Sequence, residues 1–339
     1  MSNTYSFDII HAAMSPTRLS TLLQQTISRL GGKSPLHGLS LEHRDGDPMP
    51  CQQALAEVVD LCRSVFFPGY FGQPAISARM QAYHLGVSLE RLHTLLTDQV
   101  LAGLCSASPD ECGQDCERGS ARHNEQVCAR RAHAEQIAEE FIQRLPALRD
   151  ILATDVEAAY NGDPAADSYG EIISCYPVIR ALANYRVAHE LLVLGVPLIP
   201  RIITEMAHSE TGIDIHPAAT IGHHFTIDHG TGVVIGATCI IGNNVKLYQG
   251  VTLGAKSFPL DEHGNPIKGI PRHPILEDNV IVYSNATVLG RITIAKGTII
   301  GGNLWVTEST KPGDRIVQAK RRKNAAKECV VRPEDYGGL

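Results

Sequence analysis

The sequence predicts an α+β fold, an N-terminal all-helical domain followed by a parallel β-helix, on three observations. Its 339 residues exceed the ~100 to 200 usual for one domain. Apolar residues recur at helical spacing as far as about residue 203, and from about residue 206 a strict sixfold spacing replaces it. The expected organisation is a helical domain over 1–203, a β-helix over 204–310 carrying a projecting loop at 255–272, and a C-terminal tail over 311–339.

In the helical part, Val87, Leu92, Leu95, Leu96, Val100 and Leu104 line one face of a helix. Ile137, Phe141, Ile142 and Leu145 form a second such run, which Pro146 is expected to stop. A third runs from Val178, Ile179, Leu182 and Tyr185 towards Leu192 and closes at Gly195. Residues 105–125, rich in Cys, Ser, Gly, Asp and Glu, read as a loop between helices.

The sixfold register begins with Ile215, Ile221 and Ile227. After two extra residues it resumes at Ile235, Ile241, Leu247 and Leu253, and beyond an interruption it continues through Leu276, Val282, Val288, Ile294, Ile300 and Val306. A chain that turns after each short strand, three hexads to a triangular coil, stacks these aliphatic positions into one interior column. Glycine follows Ile221, Ile235, Ile241 and Ile300, where a residue without Cβ adopts the angles of a tight corner. One coil cannot bury such a column alone, so about four or five must stack, with their ends capped. The interruption, Ala255 to Arg272, leaves the repeat and rejoins it, and so projects as a loop.

Composition narrows the classes of function. A formal net charge of −6 provides no general field for nucleic acid, and the local run Lys320, Arg321, Arg322 and Lys323 reads as a solvated tail. Nine cysteines, without a basic start and apolar core at the amino terminus, suit reduced thiols in a cytoplasm, and no membrane insertion is expected. Cys105, Cys112, Cys116 and Cys128 match no zinc spacing and read as an unligated loop, so no metal is expected.

Polar residues concentrate at two places in the repeat. His229, followed by Gly-Thr-Gly where the two extra residues fall, sits on a tight turn with its imidazole open to a substrate. Asp214 precedes it by 15 residues, close to one 18-residue coil, which would let the carboxylate orient the ring as that of a general base. Arg272 and His273 close the projecting loop, a forked cation beside a donor, suited to a carboxylate.

On these residues the chain resembles the serine acetyltransferases of the hexapeptide acyltransferase superfamily. The segments that carry the resemblance are Asp163-Pro-Ala-Ala-Asp167, Tyr185-Arg-Val-Ala-His189, Asp214-Ile-His-Pro-Ala-Ala219, Asp228-His-Gly-Thr-Gly-Val-Val-Ile-Gly236, Gly250-Val-Thr-Leu-Gly254 and Arg272-His-Pro274. The resemblance implies a left-handed coil and transfer of acetyl from acetyl-CoA to the L-serine hydroxyl, the first step of cysteine biosynthesis from serine. It makes His229 the base and Asp214 its support, gives the serine ammonium to Asp163 and Asp228, and gives the carboxylate to Arg272 and His273. Gly254, Ser284 and Gly302 would line the acetyl-CoA groove. It also implies a homotrimer or dimer of trimers, feedback by L-cysteine, and an O-acetylserine sulfhydrylase partner bound through the C-terminal tail.

Three departures from the family stand out. Ala237 occupies a position where many members carry Glu, the projecting loop is of the long type, and the chain ends in Leu339 where many relatives end in Ile. The rival reading within the superfamily is an acetyltransferase for a sugar or other hydroxylated acceptor, which would not need Arg272 and His273 facing Asp163 and Asp228. A zinc carbonic anhydrase on the same prism would need three converging histidines, and a scaffold protein would need none of these residues.

Overall fold

The computed structural model describes residues 16–30, 48–72, 79–107 and 121–318. The chain divides into two units, Met1–Asp47 and Pro48–Leu339. In the first, the described element is helix α1 (Pro16–Leu30), whose Leu19, Leu22, Leu23, Ile27 and Leu30 are exposed.

The second unit opens with six helices: α2 (Gln52–Phe66), α3 (Gln81–Ala107), α4 (Ala121–Gly162), α5 (Tyr169–Cys175), α6 (Pro177–Val193) and α7 (Ile199–Thr211). Leu92, Leu96 and Val100 of α3 pack against Ile137, Phe141 and Leu145 of α4 in one core, as their spacing requires. Pro146 does not stop α4, which continues through it to Gly162. A proline removes one backbone donor, and here the buried Leu145, Leu148, Leu152 and Val156 hold the helix to the core on both sides of it. Helical structure extends beyond the expected boundary, to Thr211.

From Asp214 the chain winds as a left-handed parallel β-helix of about five turns. Face one holds β1 (Asp214–Ile215), β4 (Val234–Ile235), β7 (Thr252–Gly254), β10 (Thr287–Leu289) and β13 (Trp305–Val306). Face two holds β2 (Thr220–Ile221), β5 (Ile240–Ile241), β8 (Ile275–Leu276) and β11 (Thr293–Ile294). Face three holds β3 (Thr226–Asp228), β6 (Lys246–Tyr248), β9 (Ile281–Val282), β12 (Ile299–Ile300) and β14 (Arg315–Ile316). Every pairing is parallel, between a strand and its equivalent one coil on, and all thirteen sixfold aliphatic positions are buried.

The glycines after Ile221, Ile235 and Ile241 serve space rather than angle. None of them has positive φ, but a Cβ on Gly222 would lie 2.8 Å from the Gly242 carbonyl oxygen of the coil above. The left-handed conformation falls instead to His224, Asn244, Asn279, Asn285 and Asn303 at the corners, and Asn and His tolerate it best after glycine.

Stacking leaves the backbone groups of the first coil without a coil on their outer side, and the helices satisfy them. Tyr185 donates its hydroxyl to Ala219 O (2.6 Å), Arg186 donates to Ile221 O and Gly222 O (2.7 Å each), and the His189 ring meets Pro217 O (2.7 Å). From α4, Thr154 accepts the His224 amide at 3.0 Å and Asp155 accepts the Phe225 amide at 3.0 Å. Asp155 and Arg186 form a buried pair at 3.0 Å, in which burial pushes the carboxyl up to about 6 while Arg186 and the Phe225 amide oppose that rise.

Replacing Arg186 by Met leaves the buried Asp155 carboxylate without its cation and the Ile221 and Gly222 carbonyls without the donor Arg186 supplies. The expected loss of stability is about 3 to 5 kcal/mol, read as a fall in denaturant midpoint, against only about 1 kcal/mol for Tyr185→Phe.

Candidate active site

The corner from face three to face one of the first coil is His229-Gly230-Thr231-Gly232. His229 takes φ 58°, left-handed for a residue with a side chain, at a cost of about 1 to 2 kcal/mol. Gly230 must be glycine, because its φ is 93° and a Cβ there would lie 2.5 Å from Ile213 Cδ1. The corner therefore holds the imidazole outward, 77% exposed, with Nε2 3.9 Å from Asp228 Oδ1.

The two extra residues make this coil longer than the next. Asp214 pairs in register with Val234, twenty residues on, whereas Val234 pairs with Thr252 after the usual eighteen. Asp214 accordingly stands beside the corner, its amide donating to Val233 O at 2.9 Å, and its carboxylate pairs with Arg201 at 3.8 Å. Its offset from His229 does not set it against the imidazole within the chain. Asp214, Glu205 and His208 bring one ligand atom each within 4.8 Å of one another, and Arg201 pairs with both acids of that group.

Asp163 and Asp228 line one crevice together with Tyr176 and Lys246. Asp163 follows the C-terminus of α4 and accepts hydrogen bonds from the Tyr176 hydroxyl (2.6 Å) and the Ala165 amide (2.8 Å). Those two donors outweigh desolvation and hold the carboxyl below its usual range, while the same bond to Asp163 pushes the Tyr176 phenol up to about 12. Asp228 receives Lys246 Nζ at 3.1 Å. The crevice thus presents two carboxylates beside the exposed imidazole.

Arg272 and His273 lie at a different corner, between faces one and two, where the projecting loop rejoins the prism. Within the loop, Asp261 Oδ1 accepts the His263 and Asn265 amides, closing a tight turn at its tip. His273 is buried, and its ring lies so close to Gly236 that a Cβ there would be 2.0 Å from Cδ2. The Thr238 amide donates to Nδ1 (3.1 Å), which leaves the ring proton on Nε2. Burial first, then the Arg272 charge, pushes the His273 pKa down to about 4. His273 is therefore a neutral N–H donor beside the Arg272 and Arg291 guanidinium groups rather than a further cation. Arg291 fixes the corner by donating to Thr238 O (2.6 Å) and His273 O (3.0 Å).

Ser284 and Gly302 stack on successive coils at the corner column that begins with His229. A Cβ on Gly302 would meet Ser284 O at 3.0 Å. Gly254 ends β7 at the opposite edge of face one, near the Arg272 corner. One face of roughly five residues, at about 3.3 Å each, separates the two corners by about 16 Å, too far for one small molecule to touch both on a single chain.

Sequence reasoning missed Lys246, Tyr176, Thr238 and Arg291. The sixfold rule marks the outward positions but carries no signal for which of them meet residues from other segments. Cys112, Cys116, the basic run 320–323 and Leu339 lie outside the described residues, while Cys105 is buried and Cys128 exposed. No described helix is long and apolar enough to cross a membrane.

The sixfold prism and its corner histidine place the chain among the hexapeptide-repeat acyltransferases. No family model matches it. It is 47% identical over 277 residues to the plasmid serine acetyltransferase of Synechococcus elongatus, covering 82% of this chain and 84% of that protein. The serine acetyltransferase of Bacillus subtilis is 44% identical over 167 residues, 49% of this chain and 73% of that one. Among solved structures, serine acetyltransferase 1 of Entamoeba histolytica in complex with L-cysteine superposes with a TM-score of 0.64 at 32% identity, over 88% of this chain and 97% of that one. The chain belongs to the serine acetyltransferase family.

Two outcomes follow from the buried histidine. Gly236→Ala displaces the His273 ring and overpacks the corner, with an expected loss of about 1 to 3 kcal/mol by equilibrium denaturation. Because the folded chain binds the His273 proton less readily than the unfolded chain, stability contributed by this residue is complete above about 6.5 and is lost as pH falls towards about 4. His273→Gln, measured across that window, flattens the dependence.

Proposed function

We propose that the chain is a serine O-acetyltransferase, moving acetyl from acetyl-CoA to the L-serine hydroxyl to give O-acetyl-L-serine and CoA. The observation that carries this reading is the 47% identity to a serine acetyltransferase over most of both chains. The exposed His229 beside two carboxylates suits the chemistry it requires.

In the proposed reaction the neutral His229 ring takes the proton from the serine hydroxyl as that oxygen forms a bond to the thioester carbonyl carbon. The carbon–sulfur bond then breaks, and the imidazolium returns the proton to the departing CoA sulfur. Asp163 and Asp228 hold the serine ammonium, and Arg272 with the Nε2–H of His273 holds its carboxylate. Asp214 is the acid proposed to support His229, a role that requires its carboxylate to exchange Arg201 for the imidazole when the site is assembled. Acetyl-CoA runs past Gly254, Ser284 and Gly302.

These roles fall on two corners of one prism, which supports a site completed between neighbouring chains of a homotrimer or dimer of trimers. We further propose that L-cysteine, isosteric with serine, inhibits at the same site, as the complex of the Entamoeba relative suggests. Cytoplasmic location, a reaction without metal and a sulfhydrylase partner bound by the tail belong to the same reading. Acetylation of a sugar is not favoured, because a neutral acceptor leaves both charged clamps unmatched.

The test is release of CoA with L-serine, homoserine or a simple galactoside as acceptor, where serine should be preferred. His229→Ala should lower kcat by about 10² to 10⁴. Transfer to the galactoside at a rate equal to serine, or an unchanged kcat in the variant, removes the assignment.

A further inference from the structure

Lys246 has no part in the reaction as described, yet it touches both acids' segments. Its Nζ donates to Gly162 O at 2.6 Å, one residue before Asp163, and pairs with Asp228 Oδ2 at 3.1 Å. It also lies 4.5 Å from the centroid of the Tyr248 ring, which stacks on Tyr283 at 4.8 Å with the planes 11° apart. Its side chain is only 15% exposed. Burial alone would lower the ammonium pKa, but Tyr248 and Asp228 outweigh it and hold it above its usual value.

The contacts divide the labour of Asp228. Oδ2 is taken by Lys246, and Oδ1 is the oxygen turned towards His229. Asp163 is held by Tyr176 and by its own turn, and it feels the charges of both Lys246 and His229. The titratable groups around the crevice are Asp228 and His229 at the end of β3, Lys246 and Tyr248 on β6, and Tyr283 beyond β9. Asp163 after α4, Tyr176 between α5 and α6, and Glu171 of α5 complete the set. Of these, the two carboxylates that line the crevice, Asp163 and Asp228, and the Lys246 ammonium leave one net negative charge at the subsite itself, which matches one amino-acid ammonium, while Glu171 acts only from behind Tyr176.

We propose that Lys246 is a positioning residue that sets the charge and spacing of the ammonium subsite, keeping Asp163 and Asp228 both ionised when an amino acid binds. The proposal rests on the assignment of the serine ammonium to those two acids. Without Lys246 the two carboxylates repel each other, one of them holds a proton to higher pH, and the protonated form is a poorer partner for an ammonium.

The probe is L-alanine, which keeps both charged ends of serine but has no hydroxyl to acetylate. Its Ki against serine is measured for the full-length wild type, Lys246→Met and Lys246→Arg between about pH 4.5 and 8. The ratio of the Lys246→Met Ki to the wild-type Ki should rise about threefold from the upper to the lower end of that range, the effect of raising a carboxylate of ordinary pKa (~4) by one unit. Lys246→Arg should keep the ratio near one throughout. Should Lys246→Met not fold, Lys246→Gln carries the same comparison. A ratio that stays flat with pH overturns the proposal, whatever its size, because lost packing alone does not titrate. Asp163→Asn run in parallel separates the two readings. An unchanged Ki there removes the ammonium assignment itself, whereas a weakened one beside a flat Lys246→Met ratio removes only the role of Lys246.

Discussion

The structure depends on how the first coil of the prism is closed. A parallel coil satisfies its backbone only through the coils above and below it, so its first turn presents donors and acceptors that nothing in the repeat can meet. Tyr185, Arg186 and His189 of α6 meet the carbonyls, and Thr154 and Asp155 of α4 meet the amides. Because Asp155 and Arg186 also bind each other, the two helices and the coil are fixed as one polar network. The same α4 ends at Gly162, so the closure that stabilises the prism also delivers Asp163 to the crevice beside Asp228.

Each cluster around the proposed reaction is built by a different physical device. The His229 corner uses two extra residues and a left-handed backbone to push an imidazole into solvent. The acid crevice relies on hydrogen bonds from Tyr176 and Lys246 to hold like charges near each other. The Arg272 corner buries a neutral histidine against a glycine, so that its positive charge comes from guanidinium groups alone, Arg272 and the carbonyl-bound Arg291. Together they form a surface of separated charges, which suits a zwitterion better than a neutral alcohol.

Much of the fold was legible because the repeat has a period that no other architecture shares, and every aliphatic position it marked is interior. Two local readings were not. Pro146 looked like a helix end because sequence records its missing donor but not the buried leucines on either side of it. The glycines after the inward isoleucines looked as if they supplied the backbone angles of tight corners, yet none has positive φ and what they supply is room for the neighbouring coil. In the site, Asp214 and His229 were linked by counting, and the longer first coil shifts that count. Lys246 and Arg291 were invisible for another reason. Their partners, Gly162 and Asp228 for one and Thr238 and His273 for the other, lie from 18 to 84 residues away.

A stack in which each layer touches only its neighbours melts like a zipper, from whichever end is held least. Here one end is sealed by two helices, while β14, the last described strand, pairs with β12 alone. The proposed base and the acids beside it belong to the sealed end. Melting from the sealed end has first to break the helix contacts, so the reactive corner shares the stability those contacts give to the first coil.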